Sequence, residues 1–148
     1  MRFHKKISAN GTRHSLYSCL KFISDASGAI KIKSSVVNAY LCFSRKGRLI
    51  SRTSAESAQC KFREVTRTNF IKLQSVANQN WYMGFDKRGR KLKGFAKQDT
   101  WDREKCFMFN KLNWLSAHKR RHQRHLKKKE FTMDIDGIRL SQLNLCQR

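Results

Sequence analysis

The sequence predicts an all-β fold, a β-trefoil of three repeats of about 40 residues. Three observations carry that prediction: a motif that recurs, period-two alternation inside each copy, and glycine turns at matching places. Tyr40-Leu41-Cys42-Phe43-Ser44-Arg45-Lys46-Gly47-Arg48 returns as Tyr82-Met83-Gly84-Phe85-Asp86-Lys87-Arg88-Gly89-Arg90, 42 residues later. Ile30-Lys31-Ile32-Lys33-Ser34 returns as Ile71-Lys72-Leu73-Gln74-Ser75 at an offset of 41. Leu20-Lys21-Phe22 is matched by Cys60-Lys61-Phe62 and again by Phe107-Met108-Phe109.

Each element follows from these copies. Ala29 to Lys33 and Phe70 to Gln74 alternate apolar with charged or polar residues, the period of a half-buried strand. Lys46-Gly47 and Arg88-Gly89 put glycine where a tight hairpin needs positive φ, and Asn10-Gly11 is a third turn signal. No segment before residue 112 carries a helical stripe. Three copies are too few for an ordinary propeller, whereas a trefoil closes three such units on themselves and removes its edges.

The character changes after Leu112. His118 to Lys129 holds seven fixed positive charges and no acid, a run that repels itself until a polyanion neutralises it. Residues 1–112 are therefore expected to form the trefoil and 113–148 a basic, flexible tail. Within that tail Phe131, Met133 and Ile135 alternate, with no partner evident in the sequence.

Charge bounds the function. The 148-residue chain has 33 Lys and Arg against 10 Asp and Glu, a net charge of +23. So lopsided a balance opposes compaction by self-repulsion and points to a polyanionic partner: nucleic acid, an acidic membrane surface or a sulfated glycosaminoglycan. No run approaches the roughly 18 apolar residues of a membrane span, so membrane insertion is not expected. Met1 to Lys6 is not followed by the apolar stretch of an ordinary signal peptide. No nucleophile with an orienting acid, carboxylate pair or phosphate-cradling glycine motif stands out, and no enzyme is read. His118, His122 and His125 sit among like charges, where their pKa values should be depressed. Five cysteines leave at least one unpaired within a monomer; Cys19, Cys106 and Cys146 lack zinc spacing, and no metal or other cofactor is expected.

The motifs resemble the fibroblast growth factor family. Asn38 to Leu49 is similar to its sixth and seventh strands, Cys60-Lys61-Phe62-Arg63-Glu64 to a later strand, and Trp81 to Arg90 to its Trp-Tyr hairpin. Ile7-Ser8-Ala9 and the early turn resemble the branch numbered eight, seventeen and eighteen. The match is clear over residues 20–94 and weaker from 2 to 112. The family's first strand has no counterpart before Met1, as in an isoform lacking upstream sequence, and a trefoil without it would keep an open edge.

The resemblance implies a secreted ligand that binds and activates a fibroblast growth factor receptor tyrosine kinase, with heparan sulfate proteoglycan as co-receptor. By it, Glu64 pairs with a receptor Arg, Asn69 hydrogen-bonds the linker between receptor domains, Phe70 fills an apolar groove, and Leu112 matches an apolar contact. Core packing is the competing reading of Phe70, which begins an alternating strand. Lys87, Arg88, Arg90, Lys91, Lys93, Lys97, Arg103 and Lys105 fall where the family binds heparan sulfate, although Asp86 replaces the position that usually begins the basic run. Clustered Lys and Arg release the counterions of a sulfated chain, with Arg suited to bidentate contacts.

Cys42 and Cys60 have the spacing of that branch's disulfide; two buried free thiols is the alternative. Asn10-Gly11-Thr12 is a glycosylation sequon, usable only on secretion. A different class of function stays open: an intracellular trefoil module binding a channel tail, or a nucleic-acid binder acting through Lys119 to Lys129. No sequence-specific nucleic-acid contact is expected, since non-specific polyanion binding follows from charge alone.

Overall fold

The computed structural model describes residues 7–10, 20–34, 36–113, 131–135 and 138–142, the last two segments and 111–113 as backbone only. Strands β1 (Leu20–Ser24), β2 (Ile30–Ser34), β3 (Ala39–Phe43), β4 (Leu49–Arg52), β5 (Phe62–Arg67) and β6 (Phe70–Ser75) follow the predicted copies. All their pairings are antiparallel, in the order β4-β3-β2-β5-β6 with β1 also on β2. Along its full length β2 pairs with β1, from Leu20↔Ser34 to Ser24↔Ile30. It touches β3 only at Lys33 and Ser34, and β5 only at Ile30. Splaying of this kind turns a sheet into a barrel wall.

Alternation decides which residues go inside. Ile30 and Ile32 are buried on β2 while Lys31 and Lys33 are half-exposed. The core cluster draws the repeat equivalents together: Leu41 with Met83, Phe43 with Phe85, Ile32 with Leu73, and Phe62 with Phe109, Phe22 packing against its edge. Rings of Phe43 and Phe62 lie 5.8 Å apart, and Phe43 and Trp81 5.7 Å apart, both tilted as aromatic pairs prefer. Three repeats around one core is the β-trefoil arrangement.

The third repeat also holds a one-turn helix, α1 (Trp101–Glu104), which the absence of a helical stripe did not announce. Four residues are too few to show periodicity, but Thr100 caps it through its hydroxyl on the Arg103 N–H. Beyond it, β7 (Asn110–Asn113) pairs with β9 (Ile138–Gln142), and β9 with β8 (Phe131–Ile135). The alternating Phe131, Met133 and Ile135 thus lie on a strand, and β8 runs beside β1. The boundary drawn at Leu112 from charge falls within β7; the basic run 118–129 lies outside the described residues.

Cys42 on β3 and Cys60 at the end of a 3-10 turn (Ala58–Cys60) are joined by a disulfide, with Cα atoms 4.0 Å apart. Both are fully buried beside Ala55, Tyr40 and Ile50 in a second, smaller cluster. Closing this loop stabilises the fold by about 3 kcal/mol on a chain-entropy estimate.

Candidate functional site

One turn is built three times. In Asp25–Ala29, Ser44–Arg48 and Asp86–Arg90 the first N–H donates to the fifth carbonyl, and the glycine N–H at the fourth position donates back to the first carbonyl. The first side chain oxygen then accepts from the N–H groups of the third and fifth residues, at 2.9 and 3.1 Å from Asp25, 3.3 and 3.2 Å from Ser44, and 2.9 Å twice from Asp86. Glycines at φ 74°, 65° and 72° complete the turns. These are three-residue hairpin loops with the glycine in the left-handed region. The Asp25 turn went unread in the sequence, although Asp-x-x-Gly repeats the spacing of Ser44-x-x-Gly47.

This geometry explains Asp86. Its carboxylate caps the turn and also accepts from the Arg90 guanidinium at 2.7 Å. Burial alone would push the Asp86 carboxyl up, but the Arg90 and Arg88 donors outweigh it and hold it below the ordinary range. An acid at the start of the basic run therefore shapes the hairpin.

The eight basic residues divide by partner. Arg90 pairs with Asp86, Arg103 with Asp99 at 2.9 Å, and Lys105 with Asp102 at 3.2 Å. Lys91 donates to the Leu49 carbonyl at 2.7 Å. Lys87, Arg88, Lys93 and Lys97 are exposed and make no ion pair with a described residue; Lys93 lies 5.5 Å from the Phe95 ring centroid. Long-range contacts bring in a neighbour the sequence reading omitted. Gly94 N–H donates to Gly47 O at 2.8 Å and Arg48 bridges Lys93, so exposed Arg45, Lys46 and Arg48 adjoin the set. Their signal was the repeat itself, which places the same basic turn on a second hairpin.

A different hairpin carries the other candidate residues. Glu64 is exposed on β5, opposite Leu73, and Asn69 is exposed in the two-residue turn to β6. Thr68 in that turn has φ 55°, a strained conformation for a β-branched residue. Phe70 is half-buried and stands outside the core cluster, to which its neighbour Ile71 turns instead. The Ile71 and Phe109 backbones exchange hydrogen bonds at 2.9 and 2.8 Å, setting the start of β7 beside β6. Leu112 is thereby on an adjoining strand, its side chain outside the described residues.

Behind this hairpin α1 is pinned by charge. Lys72 Nζ donates to Glu104 Oε1 at 2.7 Å and Gln98 Oε1 at 2.8 Å, and Arg67 Nε approaches the same carboxylate at 3.3 Å. The Lys72 hydrogen bond holds the Glu104 carboxyl below its ordinary value of 4.5. Asn10 is exposed, while Gly11 and Thr12, His118 to His125, Cys19 and Cys146 lie outside the described residues. Among the described residues no cluster of three His, Cys, Asp or Glu could hold a metal ion, and no helix is long and apolar enough to cross a membrane.

The fold is a β-trefoil with a disulfide-braced wall, two adjoining basic hairpin turns and a hairpin edged by the half-buried Phe70. The chain belongs to the fibroblast growth factor family: the fibroblast growth factor family model matches residues 1–108. It is 37% identical to human fibroblast growth factor 18 over 92 residues, 61% of this chain and 44% of the relative. It is 32% identical to chicken fibroblast growth factor 8 and 33% identical to its zebrafish counterpart, each over 107 residues, 71% of this chain and 50% of the relative. These relatives lie in the branch that the motifs resemble. The chain spans about half the length of the relatives it matches.

Proposed function

We propose that this chain is a secreted, non-enzymatic ligand that binds and activates a fibroblast growth factor receptor tyrosine kinase, with heparan sulfate as co-receptor and no other cofactor. The observation that carries the reading is Phe70. It is a large apolar side chain left out of the core, on a hairpin that also offers Asn69 and Glu64. An aromatic anchor ringed by polar groups is the usual energetic centre of an interface. Leu112 on the adjoining strand would extend the apolar part.

Lys87, Arg88, Lys93 and Lys97 would make the principal sulfate contacts, since they are exposed and make no ion pair with a described residue. Arg90, Lys91, Arg103 and Lys105 must share or surrender an internal partner to join them. Arg45, Lys46 and Arg48 would lengthen the track. The sugar then acts as a second tether that raises the effective concentration of ligand at the receptor. The buried Cys42–Cys60 disulfide supports an extracellular site of action, because such bonds persist in oxidising compartments. Residues 113–148, with their basic run, would add non-specific polyanion attraction to the trefoil.

The test is receptor tyrosine phosphorylation on cells given the purified, folded chain, with and without heparan sulfate. Phosphorylation that needs the sugar and loses potency about thirtyfold or more with Phe70→Ala is expected, matching a hot-spot loss of about 2 kcal/mol or more. A folded chain that gives none at any dose overturns the ligand reading in favour of an intracellular module.

A further inference from the structure

The segment 7–10 is laid against the basic hairpin. Ser8 bridges Arg90, and Ala9 N–H donates to Gly89 O at 2.9 Å. Asn10 comes next, and its side chain occupies the space that a side chain at residue 89 would need. A Cβ on Gly89 would collide with the Asn10 carboxamide oxygen and lie 2.8 Å from its backbone nitrogen. The Asn10 carboxamide therefore sits directly on the turn between Arg88 and Arg90, while the residue stays exposed. That carboxamide heads the sequon Asn10-Gly11-Thr12.

We propose that Asn10 is an N-glycan acceptor whose occupancy closes the adjoining polyanion surface at Lys87 and Arg88. The inference rests on the heparan-sulfate reading above and adds a covalent control to it. In the transfer, the Asn10 amide nitrogen forms a bond to C1 of the first sugar of a lipid-pyrophosphate-linked oligosaccharide. The sugar–phosphate bond breaks, the lipid pyrophosphate leaves, and the amide nitrogen gives up one proton. The secretory pathway supplies donor and transferase. The amide keeps its neutral charge, so the effect is steric: a bulky, hydrated saccharide rooted on Gly89 takes the volume through which a sulfated chain must approach. Secreted chain would then exist in two forms, one held by the matrix and one free to diffuse.

The test compares the full chain, routed through the secretory pathway of animal cells, with Thr12→Ala, which removes the sequon but keeps Asn10 on Gly89. Mass spectrometry reads occupancy, and binding to immobilised heparin is measured over a range of salt concentrations. We expect the glycosylated form to bind roughly tenfold more weakly at fixed salt. Its slope of log K against log salt should be shallower by about 1.5, as when two cationic contacts are lost. The difference should vanish in a Lys87→Ala/Arg88→Ala background. An Asn10 left bare in the secreted chain, or a glycan that leaves affinity unchanged, overturns the inference. If Lys87→Ala/Arg88→Ala weakens the unglycosylated chain while the glycan does nothing, only the inference falls. If that double variant binds heparin unchanged, the hairpin is not the polyanion site and both readings fall together.

Discussion

Glu104 shows how one carboxylate holds an element in place. It stands where β6, the Gln98 segment and α1 meet, with side-chain exposures of 12% for Lys72 and 15% for Glu104. A pair so little exposed is worth more than the 0–1 kcal/mol of a surface bridge and less than the 3–5 kcal/mol lost on breaking a fully buried one. Glu104→Gln should therefore cost about 1–2 kcal/mol at pH 7, read from chemical denaturation. The pH dependence has a definite sign. Because the folded carboxyl lies below 4.5, its contribution is complete above that value and is lost as pH falls through the lowered folded pKa. Glutamine takes up no proton, so variant and parent should differ at neutral pH and converge as pH drops below about 4. Curves that stay parallel down to pH 3 would mean that the ion pair is not what Glu104 contributes.

At the scale of the element, the repeated turn separates two costs of replacing glycine. All three turn glycines have positive φ, but Gly28 has nothing within 4 Å of a Cβ, whereas Gly89 has Asn10. Gly28→Ala should cost about 1 kcal/mol, the penalty of left-handed backbone alone. Gly89→Ala must also expel the Asn10 side chain, and should cost more and detach segment 7–10 from the hairpin. Amide exchange at Ala9, whose N–H donates to Gly89 O, would report the detachment; equal costs at both glycines would show that Asn10 is not held there. Much of this was legible in advance. The strands and the Gly47 and Gly89 turns are local patterns, and local patterns survive folding; the Cys42–Cys60 pairing was implied only by the family resemblance. The Asp25 turn was missed because its flanks, Ala26-Ser27 and Ala29, lack the basic residues that made the other two look alike. Long-range facts were not legible: that Gly94 would hydrogen-bond Gly47, or that Lys91 would reach the Leu49 carbonyl. Each depends on the barrel setting two hairpins side by side, which no local pattern states.

For the whole molecule, charge is the property that remains unbalanced after folding. Among the described residues Asp25, Asp86, Asp99, Asp102 and Glu104 are engaged in ion pairs, most of them pinning a turn or α1. They serve local geometry, while Arg45, Lys46, Arg48, Lys87, Arg88, Lys93 and Lys97 make no ion pair with a described residue. Against a net charge of +23 the compact state pays a repulsive cost that counterions relieve. Inert salt such as sodium chloride should therefore raise the melting temperature, contrary to what a fold held mainly by surface ion pairs would show. Heparin at low salt should raise it further. At a hundredfold excess over its dissociation constant a ligand specific for the folded state adds about 2.7 kcal/mol, roughly 10 °C for a domain of this size. That increment should shrink as salt rises, because the counterions released on binding are then returned to a concentrated solution. A ligand that acted only by neutralising charge would give the same gain with any polyanion of equal charge density. Dextran sulfate matching heparin at every salt concentration would show that charge alone is read; a larger shift with heparin at equal charge would mean that the hairpin geometry set by Asp86 and Gly94 recognises the sugar as well.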